Sequence, residues 1–182
     1  MPKVSGLRSP YAQVGRIVYF GRMLDKIRLH ARGMLPPEYR TNLGEAASGL
    51  FDARCCRFLG VTYAEVKERV LRGESDDEVL AWAHAVGTPR TDDDCTIWNH
   101  FMMKRGWRDE GRARLEDRVR ESDGLSGKLI ETMFDYIDYD EERDPVAARS
   151  WELRPPLVVL IMGVAGTGKT TVGHALASAI GW

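Results

Sequence analysis

The sequence predicts a mainly α protein: a multi-helix bundle over residues 1–145, a linker over 146–156, and from residue 157 the strand–loop–helix opening of an α/β domain. Three observations carry this. Apolar residues recur every three or four positions from residue 10 to about 142, the period of helices with one buried face. A polar residue followed three places later by an acid, and closed by a glycine, recurs within that stretch. After Asp144-Pro145 the pattern changes to LVVLIM, an unbroken aliphatic run, followed by GVAGTGKT.

The first helix is expected after Ser9-Pro10, a cap and a first-turn proline. It sets Val14, Ile17, Phe20, Leu24 and Ile27 on one face, leaves a basic, solvated face opposite, and ends at Gly33. Pro36, Pro37, Gly44 and Gly49 make residues 34–50 a loop with a short turn of helix, and a short helix holds 51–58. Three helices then open on Thr62 with Glu65, Ser75 with Glu78 and Thr91 with Asp94, and close at Gly73, Gly87 and Gly106. Two more cover about 108–121 and 127–140. Core candidates are Phe58, Val66, Val70, Leu80, Trp82, Ile97, Trp98, Phe101, Leu115, Val119, Ile130, Phe134 and Ile137.

Residues 151–156 (WELRPP) read as a stiff linker and 157–162 as a strand buried on both faces. Helical spacing resumes over 169–180 through Val172, Leu176 and Ile180. Between them Gly163, Val164, Ala165, Gly166, Thr167, Gly168, Lys169 and Thr170 fill the pattern G-x-x-x-x-G-K-[ST]. A loop that leaves a strand and enters a helix aims backbone N–H groups at an anion, and the helix dipole adds to them. The glycines let the chain wrap phosphate oxygens closely. Lys169 is the candidate catalytic residue, reaching the β- and γ-phosphates of ATP, and the Thr170 hydroxyl is the candidate Mg2+ ligand. Thr171 completes the nucleotide-binding set.

Composition narrows the partners. Lys plus Arg (26) almost equals Asp plus Glu (27), so no global field favours nucleic acid or a membrane surface. The N-terminus lacks the apolar core of a signal peptide, and Arg16, Arg22, Asp25, Lys26 and Arg28 break the apolar pattern of residues 11–31. Cys55, Cys56 and Cys95 form no paired motif and read as reduced cysteines of a cytoplasmic protein, buried beside Phe58 and Leu59 in the first two cases. His30, His84 and His100 fall on different helices without metal-pair spacing. The acidic run Asp138, Asp140, Glu141, Glu142, Asp144 lacks the glycine of a calcium loop and reads as a solvated helix end. Trp98, Phe101, Trp107, Phe134, Tyr136 and Tyr139 read as packing residues.

The stretch VVLIMGVAGTGKTTVGHALASAIGW resembles the opening of bacterial gluconokinases, small P-loop kinases that move the γ-phosphoryl of ATP to the 6-hydroxyl of gluconate. Met162-Gly163-Val164, Thr171-Val172-Gly173 and Gly181-Trp182 carry the likeness, which covers about the last 26 residues. Shikimate kinases share the strand, the loop and the Val-Gly step, but carry a methionine-glycine where this chain has Ala165-Gly166. The resemblance implies a truncated P-loop kinase N-terminus with ATP and Mg2+ as cofactors and a sugar acid such as gluconate as acceptor. In that family the magnesium-site acids, the sugar-acid site and the lid follow the first helix. The expectation is therefore a chain inactive by itself, with a strand and helix poorly anchored for want of neighbouring strands. Residues 7 to about 140 resemble a separate bacterial family of helical domains of unknown function, through LRSPYAQVGRIVYFGRMLDKIRLHARGMLP, FDARCCRFLGV and IWNHFMMKRGW. That likeness brings no activity and no site residues. The alternative to a kinase is a non-enzymatic helical binding or interaction module fused to a kinase remnant.

Overall fold

The computed structural model describes residues 3–149 and 168–179. The chain divides into two compact units, Met1–Trp151 and Glu152–Trp182. The first is mainly helical, with one small two-stranded sheet. No helix among the described residues is long and apolar enough to cross a membrane.

Residues 10–19 differ from the expected helix. Strands β1 (Gln13–Val14) and β2 (Ile17–Val18) pair antiparallel, with Val14 opposite Ile17 across the two-residue turn Gly15-Arg16. Gly15 sits at φ +57, the left-handed first position that tight hairpin turns need and that only glycine takes without strain. Ser9 caps no helix: its hydroxyl donates to Asp138 Oδ2 at 2.6 Å and accepts from the Tyr11 N–H. The spacing of Val14, Ile17 and Phe20 thus spans two structures, a β-branched hairpin and the start of α1 (Phe20–Ala31).

Helix α1 is the centre of the unit, with every residue from Phe20 to Ile27 buried. This corrects the expected solvated basic face, since Arg22 and Lys26 are 3% and 2% exposed. Their charges are matched by acids brought from other elements, which makes burial tolerable. A 3-10 turn at Pro37–Asn42 follows in the expected loop, then α2 (Phe51–Leu59).

Helices α3 (Tyr63–Leu71), α4 (Asp76–Val86) and α5 (Asp92–Met103) open with complete capping boxes at Thr62/Glu65, Ser75/Glu78 and Thr91/Asp94. In each the cap hydroxyl accepts from the third N–H while the acid accepts from the cap N–H, so two otherwise orphaned donors are satisfied. Gly73 and Gly106 are left-handed as expected. Gly87 is not: its φ is −97, and it is glycine because a Cβ there would lie 2.2 Å from the Leu59 carbonyl oxygen.

Helix α6 (Arg112–Glu121) lies within its expected bounds, whereas α7 (Met133–Asp140) starts six residues later than expected. Gly124 and Gly127 hold the intervening turns at positive φ, and Thr132 with Asp135 forms a fourth capping box that fixes the start. A short α8 (Pro145–Ala148) is capped by Asp144. The main core gathers Tyr11, Val18, Phe20, Leu24, Leu59, Val66, Met102 and Phe134. Ile97 and Phe101 do not join it, being 69% and 42% exposed. Helix α5 turns Cys95, Trp98, Asn99 and Met102 inward at helical spacing, which leaves those two positions on the other side.

In the second unit, α9 runs Lys169–Ala179, and its first helical bond joins the Val172 N–H to the Gly168 carbonyl at 3.0 Å. The expected linker 151–156, strand 157–162 and Ile180 lie outside the described residues.

Candidate functional site

The phosphate-loop motif is described only at its C-terminal end. Gly163, Val164, Ala165, Gly166 and Thr167 lie outside the described residues. Gly168 stands at φ +75, and Lys169, Thr170 and Thr171 form the first turn of α9. The opening N–H groups of a helix have no intrahelical acceptor, so this turn presents donors and the positive end of the dipole. Gly168 admits the left-handed backbone there, with no atom of the described residues within 4 Å of where its Cβ would be.

The helical unit holds a second constellation that sequence reasoning missed. Tyr19, the residue before α1, takes φ +71, a conformation that costs a non-glycine residue about 1–3 kcal/mol. Its ring packs on Phe134 at 5.9 Å and edge-on to Phe51 at 5.3 Å. Its hydroxyl donates to Asp52 Oδ1 at 2.9 Å and accepts from Lys26 Nζ at 3.0 Å. Lys26 Nζ also reaches Asp52 Oδ1 at 2.6 Å and the Asn42 carbonyl at 3.0 Å, using all three of its protons. The Gly44 N–H caps the other carboxylate oxygen at 2.9 Å. Burial pulls the Lys26 ammonium below its ordinary value, with Asp52 opposing, and raises the Tyr19 phenol well above its own.

A parallel network surrounds Glu141, which is fully buried. Arg22 grips both carboxylate oxygens, Tyr39 donates at 2.8 Å, and Arg143 adds a further guanidinium. Burial pushes the Glu141 carboxyl up, but Arg22 and Arg143 outweigh it and hold it below its usual range. Neighbouring Asp138 takes the Ser9 hydroxyl on Oδ2, while its buried Oδ1 accepts no hydrogen bond. Burial raises that carboxyl to about 6. The acidic run is therefore partly core, not a solvated helix end. A sequence signal existed: Arg22 and Lys26 alternate with core residues of α1 while acids cluster at 138–144, and only pairing lets both be buried.

These networks form the floor of a cavity of about 300 Å³. Leu50, Phe51, Met133 and Ile137 supply apolar wall, and Arg54, Arg105, Arg114 and Arg118 stand among its lining cations. Tyr136 lines it, whereas the other aromatic packing candidates Trp98, Phe101, Trp107 and Tyr139 do not. The cysteines are inert packing residues: burial pushes the Cys56 thiol up to about 12 and Cys55 well above its ordinary value. His84 Nδ1 accepts the Arg90 N–H at 3.2 Å and so fixes the turn after α4.

Among known families, the one described as Domain of unknown function (DUF5069) matches residues 4–143. No curated protein matches the chain.

Proposed function

We propose that this chain, which belongs to the family described as Domain of unknown function (DUF5069), joins that helical domain to the phosphate-binding end of an ATP-dependent phosphotransferase of gluconokinase type. The observation that supports the reading is the passage of the motif into α9: Gly168 is left-handed and Lys169 begins a helix. Continuation into a helix is one half of the strand–loop–helix context that the motif requires.

The residues at this junction fit magnesium-bound ATP. Gly168 to Thr171 would offer backbone donors to the phosphates, the Lys169 ammonium a mobile positive charge, and the Thr170 hydroxyl a hard oxygen for the metal. Bound MgATP supplies an activated γ-phosphoryl group. Lys169 would spread the charge carried by its oxygens, and the backbone N–H groups would hold the phosphates in register without reorganising. The test is ADP release by the product of the complete reading frame, with gluconate and shikimate as rival acceptors. Gluconate-dependent release is expected; release with shikimate alone would move the assignment to shikimate-kinase-like chemistry, and release with neither would refute sugar-acid transfer.

A second reading concerns the helical unit by itself, as a non-enzymatic ligand-binding module. The cavity above the Lys26–Asp52 and Arg22–Glu141 pairs favours it, since buried charges beside a pocket and a strained tyrosine are features that function more often retains than packing requires.

A further inference from the structure

We propose that the cavity of the helical unit binds a small organic anion, a carboxylic acid or phosphate monoester on an apolar ring, with the ring against the α2 and α7 walls and the anionic group at an arginine rim. The proposal deepens the ligand-binding reading of this unit and rests on it.

Charge is unevenly placed. Six cations and two carboxylates line the cavity, although acids and bases balance across the chain. The floor charges are already spent: Lys26 has three acceptors, and Arg22 is held by Glu141 and by the Arg8 carbonyl at 2.6 Å. The rim differs. Arg54 donates one long bond, 3.3 Å, to the Gly49 carbonyl and otherwise lies over the Phe101 ring. Arg118 stands 6.0 Å from the Tyr136 ring centre with no carboxylate partner, and Arg114 has no hydrogen-bond or ion-pair partner among the described residues.

Helix α6 explains that imbalance. Two of its three acids are committed elsewhere, Glu116 to Arg112 at 2.6 Å and Asp117 to Arg120 at 2.9 Å, and the third, Glu121, does not line the cavity. Arg114 and Arg118, four residues apart, share the face that borders the cavity. Across from them burial lowers the Arg54 guanidinium below its ordinary value, with Arg105 and Arg57 adding to the fall. Like charges gathered at a rim repel until an anion enters, and planar guanidinium forks match a carboxylate or phosphate through two bonds each.

The walls select the rest of the ligand. Leu50, Phe51, Met133 and Ile137 offer no hydrogen-bonding side chains, so a polyol would lose water without replacement, whereas a ring would not. A volume of about 300 Å³ holds roughly ten to fifteen non-hydrogen atoms.

The experiment titrates the whole chain with 2-naphthoate, 2-naphthyl phosphate and the neutral 2-naphthalenemethanol, following probe fluorescence. At least one anion should bind about tenfold or more tightly than the alcohol. Arg114→Ala with Arg118→Ala should weaken the anions about tenfold and leave the alcohol unchanged. Arg120→Ala, outside the cavity, should change nothing, and Ile137→Trp should block all probes by filling the space; circular dichroism checks that each variant folds. The preferred anion identifies the head group. Equal binding of alcohol and anions, or an unaffected arginine variant, overturns the proposal while leaving a ligand-binding module. Failure of all three probes overturns both.

Discussion

Lys26 and Asp52 show how a charged residue comes to lie inside a small domain. A buried pair is retained at little net gain, but removing one partner strands the other, at about 3–5 kcal/mol. Lys26→Met should therefore lower stability to urea by about that amount, and adding Asp52→Leu should restore a large part of it; equal losses in the single and double variants would mean that Asp52 is satisfied without the lysine. Asp138 gives a pH signature of opposite origin. Its carboxyl rises from 3.8 to about 6 on folding because it is buried, so the folded protein keeps a proton that the unfolded chain has released. The stability it contributes is complete below the unfolded value and is lost as pH rises through the folded one, a change of roughly 3 kcal/mol. Glu141 acts in the other direction, with a lowered value whose contribution fades only in stronger acid. Asp138→Asn should flatten the fall in stability between 3.8 and about 6, and an unchanged slope would assign it to another group.

At the scale of elements, local chemistry was legible where it is self-contained. The three capping boxes at Thr62, Ser75 and Thr91 stand where a hydroxyl and an acid three residues apart require them. Thr132 with Asp135 is not legible in the same way, because the apolar spacing of 127–131 runs into the helix and masks its start. Residues 10–19 look helical in sequence, since strands of two residues are too short to show alternation. Gly87 was recognised as a stop but for a reason that only packing reveals. Gly87→Ala would drive a methyl to 2.2 Å from a backbone oxygen that cannot move away cheaply. Gly73→Ala meets nothing within 4 Å and bears only its positive φ. Thermal denaturation should show Gly73→Ala losing about 1 kcal/mol and Gly87→Ala several times more; similar losses would mean that the α4 end shifts freely. The cavity was not legible because its walls come from α2, α6 and α7, far apart in sequence, and because its cations look like ordinary surface residues until their partners are placed.

At the scale of the whole molecule, the chain joins two kinds of order. The helical unit, which belongs to a family of unknown function, carries a core, two buried charge networks and a cavity with a cationic rim. The second unit carries a glycine-rich motif that runs into α9 at Lys169. Overall charge balance, 26 against 27, hides the local excess at the rim, so bulk composition is silent about a small anion. Titration calorimetry of MgATP into the 182-residue chain, beside Lys169→Ala, probes the proposed phosphate cradle. Saturable binding is expected, weakening about tenfold or more when the ammonium is removed, because a charged hydrogen bond to phosphate is lost. Equal affinity in the two proteins, or no binding in either, would contradict it.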